Sequence, residues 1–214
     1  MSKLVDFLSG SRILEEVESP INGKLTVIRN LAWGTYIKAH GVTQSGGVLK
    51  KVWESTIKSL ITSHKSPVTN CLILGLGGGS VAQLIRKYWP EAKITGVDID
   101  PVIIELGTRY LALDRKEVKV VIQDAMDFVS SVYSSGAYDL ICVDLYIGDK
   151  YPKKFESEDF LKLLTKGDVA IFNRLYGPNE RRSTIKFGKK LSKIFSKVET
   201  VYPEANVMFL CSQD

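Results

Sequence analysis

The chain has little from which to build a metal centre or a disulfide framework, with three cysteines and two histidines in 214 residues. Cys71, Cys142 and Cys211 each fall inside an apolar run and no CxxC pair occurs, so each reads as a small reduced core residue. That odd count, with no signal-like stretch, sets the expectation of a reducing cytoplasm. His40 and His64 stand apart from any cysteine or carboxylate cluster, so no metal site is expected and a histidine-dependent triad lacks material. No apolar stretch is long enough to cross a membrane. Charge of one sign is also scarce: 29 Lys and Arg against 24 Asp and Glu leave a formal +5. Many of the cations lie in the last third, among them Lys153, Lys154, Arg181, Arg182 and Lys186, where a solvated helix face accounts for them. No recognition motif accompanies the excess, which argues against a nucleic-acid partner.

What is present suits one α/β domain with a small appendage: 44% of residues are hydrophobic and 25% charged. The stretch CLILGLGGGSVAQLIRKYWPEAKITGVDIDP, residues 71–101, organises the rest. Cys71 to Leu74 is an apolar run too short for a buried helix and bounded by glycine, as in a covered parallel strand. Gly75, Gly77, Gly78 and Gly79 then allow a sharp turn and close approach to a ligand, and Ser80 is placed to cap the next helix. That helix shows Val81, Leu84, Ile85 and Tyr88 on one face and stops before Pro90. A second strand, Ile94 to Val97, ends in Asp98. An acid there, about 20 residues past a glycine loop, suits a pair of ribose hydroxyls. The bland alternative is a tight turn in a plain α/β protein.

Upstream, alternation at Ile13, Val17, Leu25, Val27, Tyr36 and Ile37, broken by turn signals at Pro20, Asn22-Gly23 and Trp33-Gly34, predicts about three antiparallel strands. They form a lid or an oligomer edge, placing a small β unit at 1–46 and a nucleoside-binding unit at 47–214; residues Ser2 to Leu8 are a helical turn or a loose start. A helix with Val48, Val52 and Leu60 on its apolar face follows Gly46-Gly47. Downstream, Asp100 caps a helix whose first residue is Pro101. Val118 to Ile122 and Asp139 to Val143 are strands three and four, ending at Asp124 and Asp144. The helix from Ser157 to Leu164, strand Val169 to Phe172, helix Glu180 to Phe195 and a closing hairpin, Val198 to Tyr202 with Val207 to Cys211, complete about seven strands. In an open parallel sheet the carboxyl ends of the strands form the ligand crevice, and here they carry the glycine loop and three acids.

The motifs GLGGGS, VDIDP, QDAMDF and YDLICVD, preceded by SPINGKLTVI and HGVTQS, resemble the spermidine synthase family, over roughly residues 18 to 173. That family sits within the class I S-adenosylmethionine-dependent methyltransferases. The resemblance implies an α/β, Rossmann-like fold with a seven-stranded sheet, a terminal antiparallel hairpin and a small N-terminal β unit. It implies that Asp98 holds ribose hydroxyls and that Ile99 flanks the adenine. Asp124, with Ala125 beside it, would meet the adenine amino group. Gly75, Gly77, Gly78, Gly79 and Ser80 would border the sulfonium and its chain, and Gln44 would reach in from the lid. Asp144 falls on the family's proton-accepting aspartate, and Tyr146 would line an acceptor pocket. A homodimer acting on a small-molecule acceptor is expected.

Two departures shape the functional expectation. Ser80 stands where aminopropyltransferases typically carry an aspartate for the amine of decarboxylated S-adenosylmethionine, and a neutral hydroxyl pairs poorly with an ammonium. The family's second aspartate after Asp144 is absent or displaced to Asp149. The leading expectation is therefore methyl transfer from S-adenosylmethionine to an amine or hydroxyl, with aminopropyl transfer from the decarboxylated donor as the alternative. A noncatalytic nucleoside-binding protein is a third reading. A dinucleotide-binding dehydrogenase is a fourth, since Gly77 to Ala82 fits a GxGxxA loop.

Overall fold

The computed structural model describes residues 10–63, 66–113, 117–132 and 138–213. The expected start at Ser2 to Leu8 and His64 lie outside the described residues. Two sheets are present, one of four antiparallel strands and one of seven. The first comprises β1 (Ser11–Ser19), β2 (Gly23–Asn30), β3 (Gly34–Ala39) and β4 (Val42–Gly46), paired in chain order. The sequence pattern predicts three strands here and the structure has four. β4 was hidden because Thr43, Gln44 and Ser45 interrupt the alternation, and because a bulge between Ile37 and Lys38 shifts its register on β3.

Helix α1 (Gly47–Ser63) leads into the larger sheet, whose strands are β5 (Asn70–Leu74), β6 (Lys93–Asp98), β7 (Val118–Ile122), β8 (Leu140–Val143), β9 (Val169–Leu175), β10 (Lys197–Val201) and β11 (Asn206–Ser212). Between them run α2 (Ser80–Tyr88), α3 (Pro101–Tyr110), α4 (Ala125–Val132), α5 (Glu158–Leu164) and α6 (Arg181–Leu191). The spatial order is β10-β11-β9-β8-β5-β6-β7, parallel except for β11, which runs antiparallel to both β9 and β10. The closing hairpin is therefore present, with β11 inserted between β9 and β10. Strand β9 runs three residues beyond the expected end, to Leu175, and α6 stops at Leu191 rather than Phe195.

The central strands carry unbroken apolar runs, Cys71 to Leu74, Leu140 to Val143 and Val169 to Phe172, because both faces are covered. Cys71 and Ile73 point into the layer shared with α1, α2, α3 and the small sheet, while Leu72 and Leu74 point into the layer built by α4, α5 and α6. Leu25, Val27, Ile37 and Ala39 of the small sheet belong to the first layer, so the small sheet packs into the same core as the large one. Asp100 fastens the two: its buried carboxylate accepts from Ser19 Oγ (2.5 Å), Asn22 Nδ2 (2.7 Å) and, as the cap of α3, Val102 N (2.9 Å).

Glycine decides how closely the loop after β5 can approach its neighbours. Gly75 has φ +85, and a Cβ there would lie 2.2 Å from the Asp144 carbonyl oxygen. Gly107, inside α3, faces Gly78: a Cβ on Gly107 would lie 2.5 Å from the Gly78 Cα. On helix propensity alone Gly107→Ala would stabilise α3 by about 1 kcal/mol. Against an opposing backbone it should instead destabilise by roughly 1–3 kcal/mol. A lowered melting temperature in Gly107→Ala checks this, and an unchanged or raised one would contradict the packing.

Candidate functional site

The chain runs from β5 to β6 and β7 on one side, then returns to β8 and β9 on the other. The switch between β5 and β8 opens a crevice at their carboxyl ends. A cavity of about 430 Å³ occupies it. Gly75 and Gly77 line it after β5, Asp98 and Ile99 after β6, Asp124 and Ala125 after β7, and Asp144 and Tyr146 after β8, with Gln44 from β4. All nine are residues singled out from the sequence, and one cavity gathers them.

Gly78, Gly79 and Ser80 do not line it. Gly78 and Gly79 are packing residues: a Cβ would meet Leu111 at 2.6 Å from the first and Leu113 at 2.6 Å from the second. Ser80 is the first residue of α2, not its cap; the cap position is Gly79, which makes no side-chain cap bond. The Ser80 hydroxyl, buried, accepts from Gly46 N (2.6 Å) and shares a hydrogen bond with Ser45 Oγ (2.8 Å), clasping α2 to β4. Its hydroxyl is thus committed to β4 and does not reach the cavity. Asp149, the candidate for the displaced acid, is also absent from the lining.

Each strand-end acid has its own donors. Asp98 accepts from Gly77 N at 2.7 Å and Asp100 N at 2.9 Å, which ties the glycine loop to the end of β6 and leaves the second lone pair of each oxygen available. Burial pushes its carboxyl up to about 6, partly offset by the backbone N–H groups of Asp100, Gly77 and Ile99. Asp124 accepts from Met126 N (2.9 Å) at the start of α4 and pairs with Lys154. Asp144 accepts from Trp53 Nε1 and from Asn173 Nδ2, both at 2.8 Å, and burial likewise pushes it up to about 6 against those two bonds. The Tyr146 oxygen accepts from Leu175 N (2.8 Å); burial raises the phenol to about 12, so it keeps its proton in neutral solution.

The loop after β8 roofs the cavity. Gly148 is held from both sides, its N–H donating to Asn22 Oδ1 (3.0 Å) and its carbonyl accepting from Gln44 Nε2 (2.8 Å). Trp53, Asn173, Asn206, Asn22 and Lys154 were not singled out as site residues. Asn173 offered one signal, an amide directly after the apolar run Val169 to Phe172; the others offered none beyond a turn, a charge or a helix face.

A switch-point cavity walled by a glycine loop and strand-end acids, in a seven-stranded sheet whose last strand is inserted antiparallel, defines the Rossmann-like methyltransferase and spermidine synthase fold class. Within it the chain belongs to the spermine/spermidine synthase domain family, which matches residues 51–202. It is 26% identical over 160 residues to the mouse (Mus musculus) eEF1A lysine and N-terminal methyltransferase, covering 69% of this chain and 23% of that protein. It is 25% identical over 208 residues to the polyamine aminopropyltransferase of Saccharolobus islandicus, covering 92% of this chain and 67% of that one. The chain thus spans about a quarter of that methyltransferase's length and two thirds of that aminopropyltransferase's. A crystal structure of a probable spermidine synthase from Corynebacterium glutamicum shares the fold, with a TM-score of 0.74 at 18% identity over 94% of this chain and 79% of that chain.

The two raised carboxyls carry a stability consequence. Each acid has an ordinary value of 3.8 and binds its proton more tightly in the fold. Between pH about 4 and about 6 the native state therefore holds more protons than the unfolded one, and stability falls as pH rises through that window. Asp98→Asn and Asp144→Asn should each flatten this part of the curve of melting temperature against pH. Curves parallel to wild type would show that neither group is perturbed.

Proposed function

We propose that the chain is an S-adenosylmethionine-dependent transferase that moves a methyl group onto an amine. One observation carries this reading: three acids at the ends of β6, β7 and β8 and the side-chain-free loop of Gly75 and Gly77 after β5 face a single cavity. The residues fit a nucleoside with a cationic tail. Asp98 keeps acceptor capacity for two hydroxyls, half-exposed Ile99 offers an apolar flank, and Asp124 offers a carboxylate to an exocyclic amine. The lining holds four carboxylates, Asp98, Asp124, Asp144 and Glu204, and one ammonium, Lys154, in a chain whose overall charge is positive. Such a lining favours cationic ligands. When bound, the donor supplies an electrophilic methyl carbon on a sulfonium leaving group.

The chain's own part is to orient, to exclude water and to take a proton. Asp144 takes the proton from the acceptor nitrogen; a carboxyl near 6 is ionised in neutral solution yet basic enough to serve. Tyr146, with its oxygen fixed by Leu175 N, shapes the wall beside it. In this reading the described part of residues 1–46 caps the cavity and the described part of 47–214 holds the donor. Both relatives described above carry names of enzymes that act on amines, which supports an amine over a hydroxyl.

Aminopropyl transfer is the second reading, supported by the relative that aligns over 92% of this chain. Against it, the position after the glycine loop where aminopropyltransferases typically carry an aspartate for the donor's ammonium is Ser80, whose hydroxyl is spent on Gly46 and Ser45 of β4. Calorimetric titration with both donors decides: tighter binding of S-adenosylmethionine is expected, and a clear preference for the decarboxylated compound reverses the order. In the same assay Asp98→Ala should abolish binding, whereas Asp144→Asn should bind normally and lose about 10²- to 10⁴-fold in turnover. For wild type kcat/KM should rise with pH to a plateau above about 6.

A further inference from the structure

Asp144 is the end of a chain of side chains that crosses three strands. Asn206, at the start of β11, donates from Nδ2 to Asn173 Oδ1 on β9 at 2.7 Å. Asn173 in turn donates from Nδ2 to Asp144 Oδ1 at 2.8 Å, and Trp53 on α1 donates to Asp144 Oδ2 at 2.8 Å. Trp53, Asn173 and Asn206 are 0%, 2% and 8% exposed, so water does not compete for these bonds. The register brings Asn206 opposite Leu175 and Met208 opposite Asn173, which sets the two amides as diagonal neighbours on one face of the β9–β11 pair.

We propose that Trp53 and Asn173 are positioning residues that fix both oxygens of Asp144, and that Asn206 acts one link further out by fixing which way the Asn173 amide faces. An amide has a donor end and an acceptor end, and only one orientation helps a carboxylate. With Asn206 donating to its oxygen, Asn173 presents NH₂ to Asp144; turned over, it would set its own oxygen against the carboxylate and leave two buried groups without partners. Each Asp144 oxygen then keeps one free lone pair to receive the acceptor's proton. Both donors are neutral, so they favour the ionised carboxylate without cancelling its charge, in opposition to burial. A cation in either place would bind the carboxylate more strongly and make it a weaker base.

The titratable groups around Asp144 are Cys142 on the strand it follows and Tyr146 and Tyr151 in the loop after it, with Arg174 of β9 beside the two tyrosines and with Asp98, Asp124, Lys154 and Glu204 also lining the cavity. Arg174 is committed to Glu156 at 2.8 Å, with its guanidinium 4.0 Å from the centre of the Tyr151 ring. Among the described residues only Trp53 and Asn173 donate to the Asp144 carboxylate.

This inference rests on Asp144 being the base, and its test separates the two ideas. Aspartate carboxyl NMR on the full chain, with the Asp144 signal assigned by its loss in Asp144→Asn, reads the titration directly and needs no substrate. Trp53→Phe and Asn173→Leu should each raise the Asp144 midpoint by about one to two pH units. Asn206→Leu, which touches no Asp144 atom, should raise it by a smaller amount. The acid limb of kcat/KM should move by the same amounts, with binding of S-adenosylmethionine little changed. A midpoint equal to wild type in Asn206→Leu overturns the outer link, and an unmoved midpoint in both Trp53→Phe and Asn173→Leu overturns the whole. Should one of those two fail to fold, the other carries the test. If the NMR midpoints move while the rate profile stays still, the positioning stands and Asp144 is not the base.

Discussion

The structure depends on keeping several carboxylates close together at one sheet edge with little water to shield them. Removing a charge from water costs several kcal/mol unless something replaces the lost hydrogen bonds. Each acid here has its own replacement. Asp98 uses the backbone N–H groups of Gly77 and Asp100, Asp144 uses an indole and an amide, and Asp124 uses the start of α4 and Lys154. Asp100, wholly buried, uses a hydroxyl, an amide and a backbone N–H. Because these donors come from different elements, satisfying the acids also fixes how the elements meet.

Close backbone approach is the second requirement, and it follows from the first. Asp98 reaches Gly77 N only because the loop after β5 folds back against the end of β6, where Gly75 N and Leu76 N both donate to the Val97 carbonyl. That path brings Gly75 against the Asp144 backbone and Gly78 against Gly107, and neither approach has room for a Cβ. Two of the glycines thus shape the cavity directly, while Gly78 and Gly79 serve the packing that holds the loop in place. The small sheet closes the roof. Asn22 joins Asp100 to Gly148, Gln44 holds Gly148 from the other side, and Ser80 ties β4 to α2.

Much of this was legible in the chain because it is local. Apolar runs of four or five residues between glycine and acid mark the parallel strands, and Asp100-Pro101 marks the start of α3. The three strand-end acids follow from the same reading, since any residue just past a parallel strand must reach the same edge. The polar strand β4 was not legible, since Thr43, Gln44 and Ser45 carry no alternation and are fixed by pairing with β3 and contact with α2. Ser80 shows the limit most sharply. Its place after the glycine loop predicted a helix cap at the ligand, yet its hydroxyl turns toward a segment 34 residues earlier, which no local pattern announces.

By itself, then, the sequence determined the parallel sheet, the closing antiparallel hairpin and the convergence of Gly75, Asp98, Asp124 and Asp144. Period, glycine and strand-end position act within a few residues of one another. Only the tertiary structure decided which groups receive the charges: Trp53, Asn173 and Asn206 for Asp144, Lys154 for Asp124, and Asn22 for the roof. Hydrogen bonds between side chains distant in sequence depend on direction and distance in space, and these exist only once the layers have packed.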